Sequence, residues 1–461
     1  VAESPLPCIV TCRPEWEGGF YAADEDERVS MFEALGTADH PPAYIDVELK
    51  AYTASANIRQ KINLAVDHPK QERHVRTRLI LSTHDFNGRP ADLTRKILAM
   101  QAEPACAVVK VAYRARSIRD NLELFDTLSE RQKPMIALGM GEFGLMSRVL
   151  APKFGGFLTF ASLRDESATA PGQPTIDDLL GMYRFRSVGK DTKVYGVIGW
   201  PVTQSMSPLV HNAGFAEIGW DGVYLPMPVE GSYESFKATF GSLIDHGTLG
   251  FAGASVTIPH KEHLFRLGID RKLAGTAETD AVGACNTFVR GGGVQIHNTD
   301  ATAIHELLAT GGSVPASVIV GAGGVAHAAA FIAGRFSDTV TIFARKSEQA
   351  RALAAGLRDH ANDARIVAGD WDGLSQTRAT VYINCTPVGM AGGPDPDGLS
   401  IPIPDMPGLP PQTVFFDTVY NPIETPMLRA ARERGYRTID GVRMFVRQAA
   451  AQFELWTGQA A

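Results

Sequence analysis

The chain has 461 residues, 44% of them hydrophobic and 21% charged, with a formal net charge of -7. That length suits about three domains, and the acidic balance provides no basic face for nucleic acid, so small anions must be held by local arginines and lysines. The cysteines Cys8, Cys12, Cys106, Cys285 and Cys385 are odd in number and scattered without metal-ligand spacing, which implies reduced thiols in a reducing compartment and no structural metal.

From the start of the chain to about residue 188, short apolar runs at 7–12, 44–49, 78–82, 107–112, 134–138 and 156–160 alternate with helical stretches. Alternation of this kind predicts parallel strands with covering helices, and polar residues sit where the runs end: Arg13, Glu48, His84 and Lys110. In a (β/α)8 barrel that is the catalytic face. Lys110 stands inside Val-Val-Lys-Val-Ala, where desolvation would favour a neutral amine able to attack a ketone. A lysine leaving an edge strand for water is an equal alternative on this segment alone. His84 is a candidate proton shuttle, with Glu48 expected to orient its ring from a neighbouring strand, although a lone histidine near a strand end is more often structural.

The pieces TCRPEWEGG (11–19), YIDVELK (44–50), LSTHDF (81–86), VVKVAY (108–113), MGEFGLMSR (140–148) and APGQPT (170–175) together resemble the type I 3-dehydroquinate dehydratases. The resemblance implies that Lys110 forms an imine with the substrate ketone, His84 moves protons and Glu48 holds His84. It further implies that Arg148 pairs with the substrate carboxylate while Arg13, Thr169 and Gln173 add polar contacts, Thr169 standing where the family often has serine. Family members carry an earlier βα unit with a Glu-x-Arg pair. Here the chain begins after it, so the expected fold is a (β/α)8-type barrel lacking its first βα unit.

A charged, turn-rich linker precedes KVYGVIGWPVTQSMSPLVHN (193–212), where the chemistry changes. Ser205 and Ser207, close before Pro208, can both face a small polyol, although an ordinary N-cap serine is the commoner reading. Runs at 222–225, 250–258 and 287–290 alternate with helices such as 233–245, predicting an α/β substrate domain over 193–305. The polar segments SVTIPHK (255–261), GACNT (283–287) and HNTD (297–300) end those runs, and Lys261 and Asp300 are candidates to exchange a proton with an alcohol. A surface salt bridge is the commoner fate of such a pair.

The run 317–320, the turn Gly321-Ala322-Gly323-Gly324 and an alanine-rich helix at 325–335 form the strand, turn and helix context of a Rossmann domain, predicted over 306–439. The next strand, 339–343, ends in Ala344-Arg345-Lys346 where NAD-binding proteins place an acid, which favours NADP. The longest stretch free of Asp, Glu, Lys and Arg, 318–334, contains that turn and His327 and is not read as membrane-spanning. A Pro/Gly-rich segment, 392–411, reads as a flap. The helical pattern from 440 returns to the substrate domain, with Gly441 and Gln448 toward the cleft.

These landmarks, with NCTPVGM (384–390), FDTVYNP (416–422) and GVRMFVRQ (441–448), resemble the shikimate dehydrogenases. The resemblance implies a Lys261/Asp300 catalytic dyad and substrate contacts from Ser205, Ser207, Thr257, Asn286, Tyr420 and Gln448. Cofactor contacts would come from Gly321, Ala322, Gly323, Gly324, Arg345, Lys346, Thr386 and Gly441. Departures are Gln204 for a common histidine, Ser255 for asparagine, Ala344 for asparagine, and Gln349 ahead of Arg351 after Lys346.

The two halves in this order are similar to fused dehydratase–dehydrogenases of the shikimate pathway. The implied partners are small molecules: 3-dehydroquinate, 3-dehydroshikimate and shikimate, with neither nucleic acid nor membrane, in the cytoplasm or, in a plant, the plastid. The competing expectations are a chain in which only the dehydrogenase acts, on shikimate or quinate, and a non-catalytic quinate-pathway sensor. Retention of Lys110, His84, Lys261 and Asp300 disfavours the sensor.

Overall fold

The computed structural model describes residues 1–461 except 73, 165–171, 203, 309–311, 361–363, 404–405, 407 and 461. The chain divides into two compact units, one of Val1–Lys193, Asp221–Pro228 and Ser242–Gly250, the other of Val194–Trp220, Val229–Gly241 and Phe251–Ala461.

In the first unit, β1 (Ile9–Thr11), β2 (Tyr44–Glu48), β3 (Arg78–Asp85), β4 (Cys106–Arg114) and β5 (Met135–Met140) pair in sequence order, every pair parallel. β4 and β5 are buried on both faces, which is why they read as nearly continuous apolar runs. Ile80, Val108, Ile136 and Leu138 form a core cluster against Ile9, Tyr44, Leu158 and Phe160. Helices cover the crossovers. Asp24 caps Glu25–Gly36 by accepting from Asp26 N and Glu27 N, and Ser55 caps Ala56–Ala65.

The expected strand at 156–160 is a correction. Phe157 N donates to Met135 O at 2.7 Å, but no ladder continues from it, so the described sheet has five parallel strands with β1 and β5 at its ends. An α/β unit on a parallel sheet is what the pattern predicted, and the described residues show five strands of it.

In the second unit, β6 (Lys193–Gly199) lies parallel to β8 (Phe251–Val256), beside which β9 (Thr287–Arg290) and β10 (Val294–His297) add antiparallel. The intervening strand β7 (Gly222–Pro228) groups with the first unit. A six-stranded parallel sheet follows, built from β11 (Val314–Val320), β12 (Ser337–Phe343), β13 (Arg365–Ala368), β14 (Val381–Asn384), β15 (Val414–Asp417) and β16 (Arg437–Ile439). Its order is β13-β12-β11-β14-β15-β16. The order reverses at β11, where β12 lies on one side and β14 on the other, and that switch point is the crevice in which open α/β sheets take ligands.

The last helix, Gly441–Thr457, starts on an Asp440 cap and packs on the β8/β9 side of the substrate sheet. Trp456 Nε1 donates to Phe288 O at 2.9 Å, and Gly253 leaves room for it: a Cβ there would stand 2.5 Å from that nitrogen. Four residues earlier, fully buried Gln452 accepts from Ser255 Oγ at 2.7 Å and donates to Thr287 Oγ1 at 3.0 Å. The chain end is thereby tied to the polar strand ends of the substrate sheet. Among the described residues, no helix is long and apolar enough to cross a membrane.

Candidate active sites

In the first unit, Asp46 and Glu48 lie two residues apart on β2 and so face one side of the sheet. Lys110 Nζ, on β4, donates to Asp46 Oδ2 at 2.7 Å and lies 4.4 Å from the centre of the Phe160 ring. Arg13, just after β1, donates through Nη2 to Asp46 Oδ2 at 3.0 Å. Through Nη1 it donates to Glu48 Oε1 at 2.8 Å and to Ser82 Oγ at 2.9 Å. Burial alone would push the Asp46 carboxyl up, but Lys110 and Arg13 hold it below the usual carboxylate range. Burial pushes the Lys110 ammonium down, partly opposed by Asp46, so the neutral amine is more accessible than in a free lysine.

His84 is driven well below its ordinary value by burial and by the Arg13 and Lys110 charges, and its Nδ1 has no hydrogen-bond partner among the described residues. A neutral imidazole beside a buried amine is the state needed to accept a proton. Glu48 does not orient this ring. Its Oε1 is taken by Arg13 and its Oε2 by Arg28 Nη1 at 2.7 Å.

The carboxyl next to His84 is Glu17. Its Oε1 accepts from the His84 backbone N at 2.7 Å, its Oε2 is buried with no hydrogen-bond partner among the described residues and lies 3.9 Å from Arg13 Nη1, and burial raises it to about 7. Sequence reasoning missed both Glu17 and Asp46. The signal for Asp46 was present, since Asp46 and Glu48 share a strand face; Glu17 lies in the 3-10 turn Glu15–Glu17, where no periodicity marks it.

Arg148 is buried on the short helix Leu145–Val149. Its Nη1 donates weakly to Phe160 O at 3.5 Å, its Nε has no acceptor among the described residues, and burial pushes it down to about 10. A buried guanidinium with unmet donors suits a carboxylate ligand. Gln173 lies on the described segment after 171, and Thr169 lies outside the described residues.

In the second unit, Lys261 is the first residue of helix Lys261–Arg271 and Asp300 lies in the first turn of Thr299–Leu308. Lys261 Nζ donates to Asp300 Oδ2 at 2.5 Å, and both side chains are nearly buried. This is no surface salt bridge. Asn286 Nδ2 donates to Thr299 Oγ1 at 3.0 Å, while Asn286 Oδ1 accepts from Thr299 N at 2.8 Å, so Thr299 joins the polar group. Ser207 N donates to Ser205 Oγ, and the Tyr420 hydroxyl is hydrogen-bonded with Ser205. Thr257 follows β8, its backbone N donating to Ile198 O. Gln448 Nε2 donates to Phe445 O at 3.1 Å, along its own helix.

The turn after β11 explains its glycines. Gly321 has φ +120°, and a Cβ there would stand 2.9 Å from Cys385 O; a Cβ on Gly324 would stand 2.6 Å from Lys261 Cβ. Gly324 therefore brings the N-terminus of helix Gly324–Ala333 against Lys261. Ala322 is half-buried in this turn, and Gly323 is the N-cap. Arg345 and Lys346 are exposed at the end of β12. Thr386 Oγ1 donates to Asn384 Oδ1 at 2.7 Å and so shapes the turn after β14. Gly441 is needed for close approach, since a Cβ there would stand 2.2 Å from Val419 O.

A type I 3-dehydroquinase family model matches residues 1–190, a shikimate dehydrogenase substrate binding domain matches 197–288, and a shikimate 5'-dehydrogenase C-terminal domain matches 441–461. Over 99% of its length the chain is 38% identical to the bifunctional 3-dehydroquinate dehydratase/shikimate dehydrogenase, chloroplastic, of Arabidopsis thaliana, covering 74% of that protein. The chain belongs to the bifunctional 3-dehydroquinate dehydratase/shikimate dehydrogenase family. The dehydrogenase half, 58% of the chain, is 35% identical to the shikimate dehydrogenase (NADP(+)) of Methanocella arvoryzae, covering 93% of that protein. A similar share, 59% of the chain, matches a quinate dehydrogenase from Corynebacterium glutamicum solved with NAD, at 30% identity, 95% coverage of that structure and a TM-score of 0.50. In family terms, the Lys110 cluster belongs to the dehydratase half and the Lys261/Asp300 pair to the dehydrogenase half.

Proposed function

We propose that the chain converts 3-dehydroquinate to shikimate in two steps, at two sites. The observation that carries this is the presence of two buried lysines, each held by one carboxylate but in different company: Lys110 beside a neutral histidine, and Lys261 beside a nucleotide-type turn.

At the first site the neutral Lys110 amine adds to the substrate ketone, and the carbinolamine loses water to leave an imine. The imine withdraws electrons from the neighbouring C–H bond, His84 takes that proton, and the β-hydroxyl departs with a proton as the double bond forms. Water then hydrolyses the imine, releasing 3-dehydroshikimate and restoring Lys110. Arg148 pairs with the substrate carboxylate throughout. Arg148→Met is expected to raise KM about 10- to 100-fold, the worth of one charge-assisted hydrogen bond, with a smaller change in kcat. Steady-state dehydration of 3-dehydroquinate reads this directly.

At the second site the residues present fit NADP. The Gly321–Gly324 turn has no room for a Cβ at two of its positions and opens a helix N-terminus, and Arg345 and Lys346 follow on the next strand. NADPH, when bound there, supplies hydride to the ketone carbon. Lys261 gives its proton to the oxygen that becomes the alcohol, Asp300 holds the amine in place, and Ser205, Ser207, Asn286, Thr299 and Tyr420 bind the remaining hydroxyls and carboxylate. Two cations where an acid would bind a ribose hydroxyl support NADP over NAD. Arg345→Ala is expected to lower the preference for NADPH over NADH by at least about tenfold, checked as a ratio of kcat/KM values.

The chloroplastic name of the Arabidopsis relative supports a plastid site of action for a plant chain. The testing experiment supplies the full chain with 3-dehydroquinate and NADPH. Loss of NADPH absorbance with formation of shikimate supports both steps. Oxidation of NADPH with 3-dehydroshikimate but not with 3-dehydroquinate would remove the dehydratase from this reading.

A further inference from the structure

The Lys110 cluster does not end at the groups that face a substrate. It continues inward as four ion pairs in series: Lys110 to Asp46 at 2.7 Å, Asp46 to Arg13 at 3.0 Å, Arg13 to Glu48 at 2.8 Å, and Glu48 to Arg28 at 2.7 Å. The last of these, Arg28, is 1% exposed and sits on helix Glu25–Gly36. Every arm of its guanidinium is used. Nη1 also donates to the carbonyl of Cys12 at 2.7 Å, Nε and Nη2 bind the Glu25 carboxylate, and Cζ lies 5.6 Å from the centre of the Phe32 ring. Cys12 directly precedes Arg13, so Arg28 fixes both the backbone before Arg13 and the carboxylate that Arg13 binds.

We propose that Arg28 is a positioning residue for the dehydratase: by holding Glu48 and the Cys12 carbonyl, it keeps Arg13 divided between Glu48 and Asp46. That division sets how firmly Asp46 grips Lys110. The inference deepens the proposed dehydratase reaction and rests on it.

The cations and carboxylates of this series compete for shared partners. Glu48 is shared by two guanidinium groups and Asp46 by one guanidinium and one ammonium, all largely out of water, where such interactions are strong. Without the Arg28 charge, Glu48 has only Arg13 to balance it and draws Arg13 toward itself. Asp46 then leans on Lys110 alone, which stabilises the ammonium over the amine. Without the Glu48 charge the reverse follows, since Arg13 commits to Asp46 and the ammonium loses a nearby anion. The charged or titratable groups facing Lys110 are Asp46 and Glu48 on β2, Arg13 after β1 and His84 on β3, with Glu17 behind His84; Arg28 and Glu25 face Glu48 from the helix. Raising the Lys110 value moves the neutral amine, and with it imine formation, to higher pH; lowering it does the opposite.

The test is the pH dependence of borohydride trapping on the full chain, with 3-dehydroquinate as the probe. Borohydride delivers hydride to the imine carbon and leaves a stable secondary amine, so the trapped fraction counts imine directly. Arg28→Met is expected to shift the trapping midpoint alkaline by about one pH unit, about a tenfold loss of trapping below the midpoint. Glu48→Gln is expected to shift it acid, the double variant to return it toward the parent, and Arg28→Lys to recover part of the loss. A purely structural arginine would lower stability without moving midpoints in opposite directions. Shifts of the same sign, or none, overturn the proposal. Should Arg28→Met fail to fold, as judged by loss of dehydrogenase activity in the same chain, the parent, Glu48→Gln and Arg28→Lys comparison still decides it, because an unmoved Glu48→Gln midpoint overturns it equally. Absence of any trapping in the parent would instead sink the imine reading on which it rests.

Discussion

Replacing Lys110 by methionine is expected to abolish dehydration of 3-dehydroquinate, by at least about 10⁴-fold, while leaving NADPH-dependent reduction of 3-dehydroshikimate close to the parent rate. Methionine has nearly the length of lysine and can occupy the same apolar surroundings, but it cannot form an imine. The fold is expected to survive because Asp46, the partner left behind, keeps Arg13 at 3.0 Å. Breaking a buried pair outright typically costs about 3–5 kcal/mol; here the retained guanidinium reduces that cost. Absorbance of the conjugated product reads the dehydratase and NADPH absorbance reads the dehydrogenase in one preparation. Loss of both activities together would point to unfolding.

The mirror-image result is expected at the other site. Lys261→Met, or Asp300→Asn, should lower kcat for reduction by about 10²- to 10⁴-fold, the range for losing a positioned proton donor, while dehydration proceeds unchanged. Asp300→Asn is the more searching of the two. It preserves size and burial but replaces the carboxylate oxygen that Lys261 Nζ meets at 2.5 Å. A loss in kcat with KM nearly constant is expected, because the dyad acts on the reacting oxygen more than on substrate binding. Equal kcat with raised KM would make the pair a binding device.

These two sites were legible in the sequence to different depths. Lys110 is legible because β4 is buried on both faces, so a charge inside its apolar run can be kept only for a partner or a reaction. The nucleotide turn is legible because the strand, the glycines and the alanine-rich helix follow one another without interruption, and the structure adds the steric reasons for Gly321 and Gly324. Which carboxylate serves which cation was not legible, because that depends on register. Glu48, the last residue of β2, pairs in register with Ser82, and Ser82 with Lys110, so His84 lies two residues beyond the end of β2. Glu48 is thereby left to the arginines, and His84 meets a carboxylate from the turn after β1.

Register and rotation likewise explain why Gln452 went unnamed and why the run at 156–160 read as a strand. Gln452 follows Gln448 by four residues, one helical turn, and it is Gln452 that joins the buried network to Ser255 and Thr287. The helix's rotation on the substrate sheet, fixed by Trp456 and Gly253, carries Gln452 into that network. The run at 156–160 is apolar enough for a strand, yet it contributes side chains to the core beside β5 without a ladder. Apolar content reports burial, and burial does not require pairing.

In the proposed reaction, one buried amine becomes covalently bonded to substrate while the other only relays a proton. Reduction of the full chain with borohydride in the presence of 3-dehydroquinate, followed by peptide mapping by mass spectrometry, tests it. One substrate-derived adduct per chain is expected, located on Lys110, and none on Lys261. An adduct on another lysine, or an unmodified chain that nonetheless dehydrates the substrate, would contradict it.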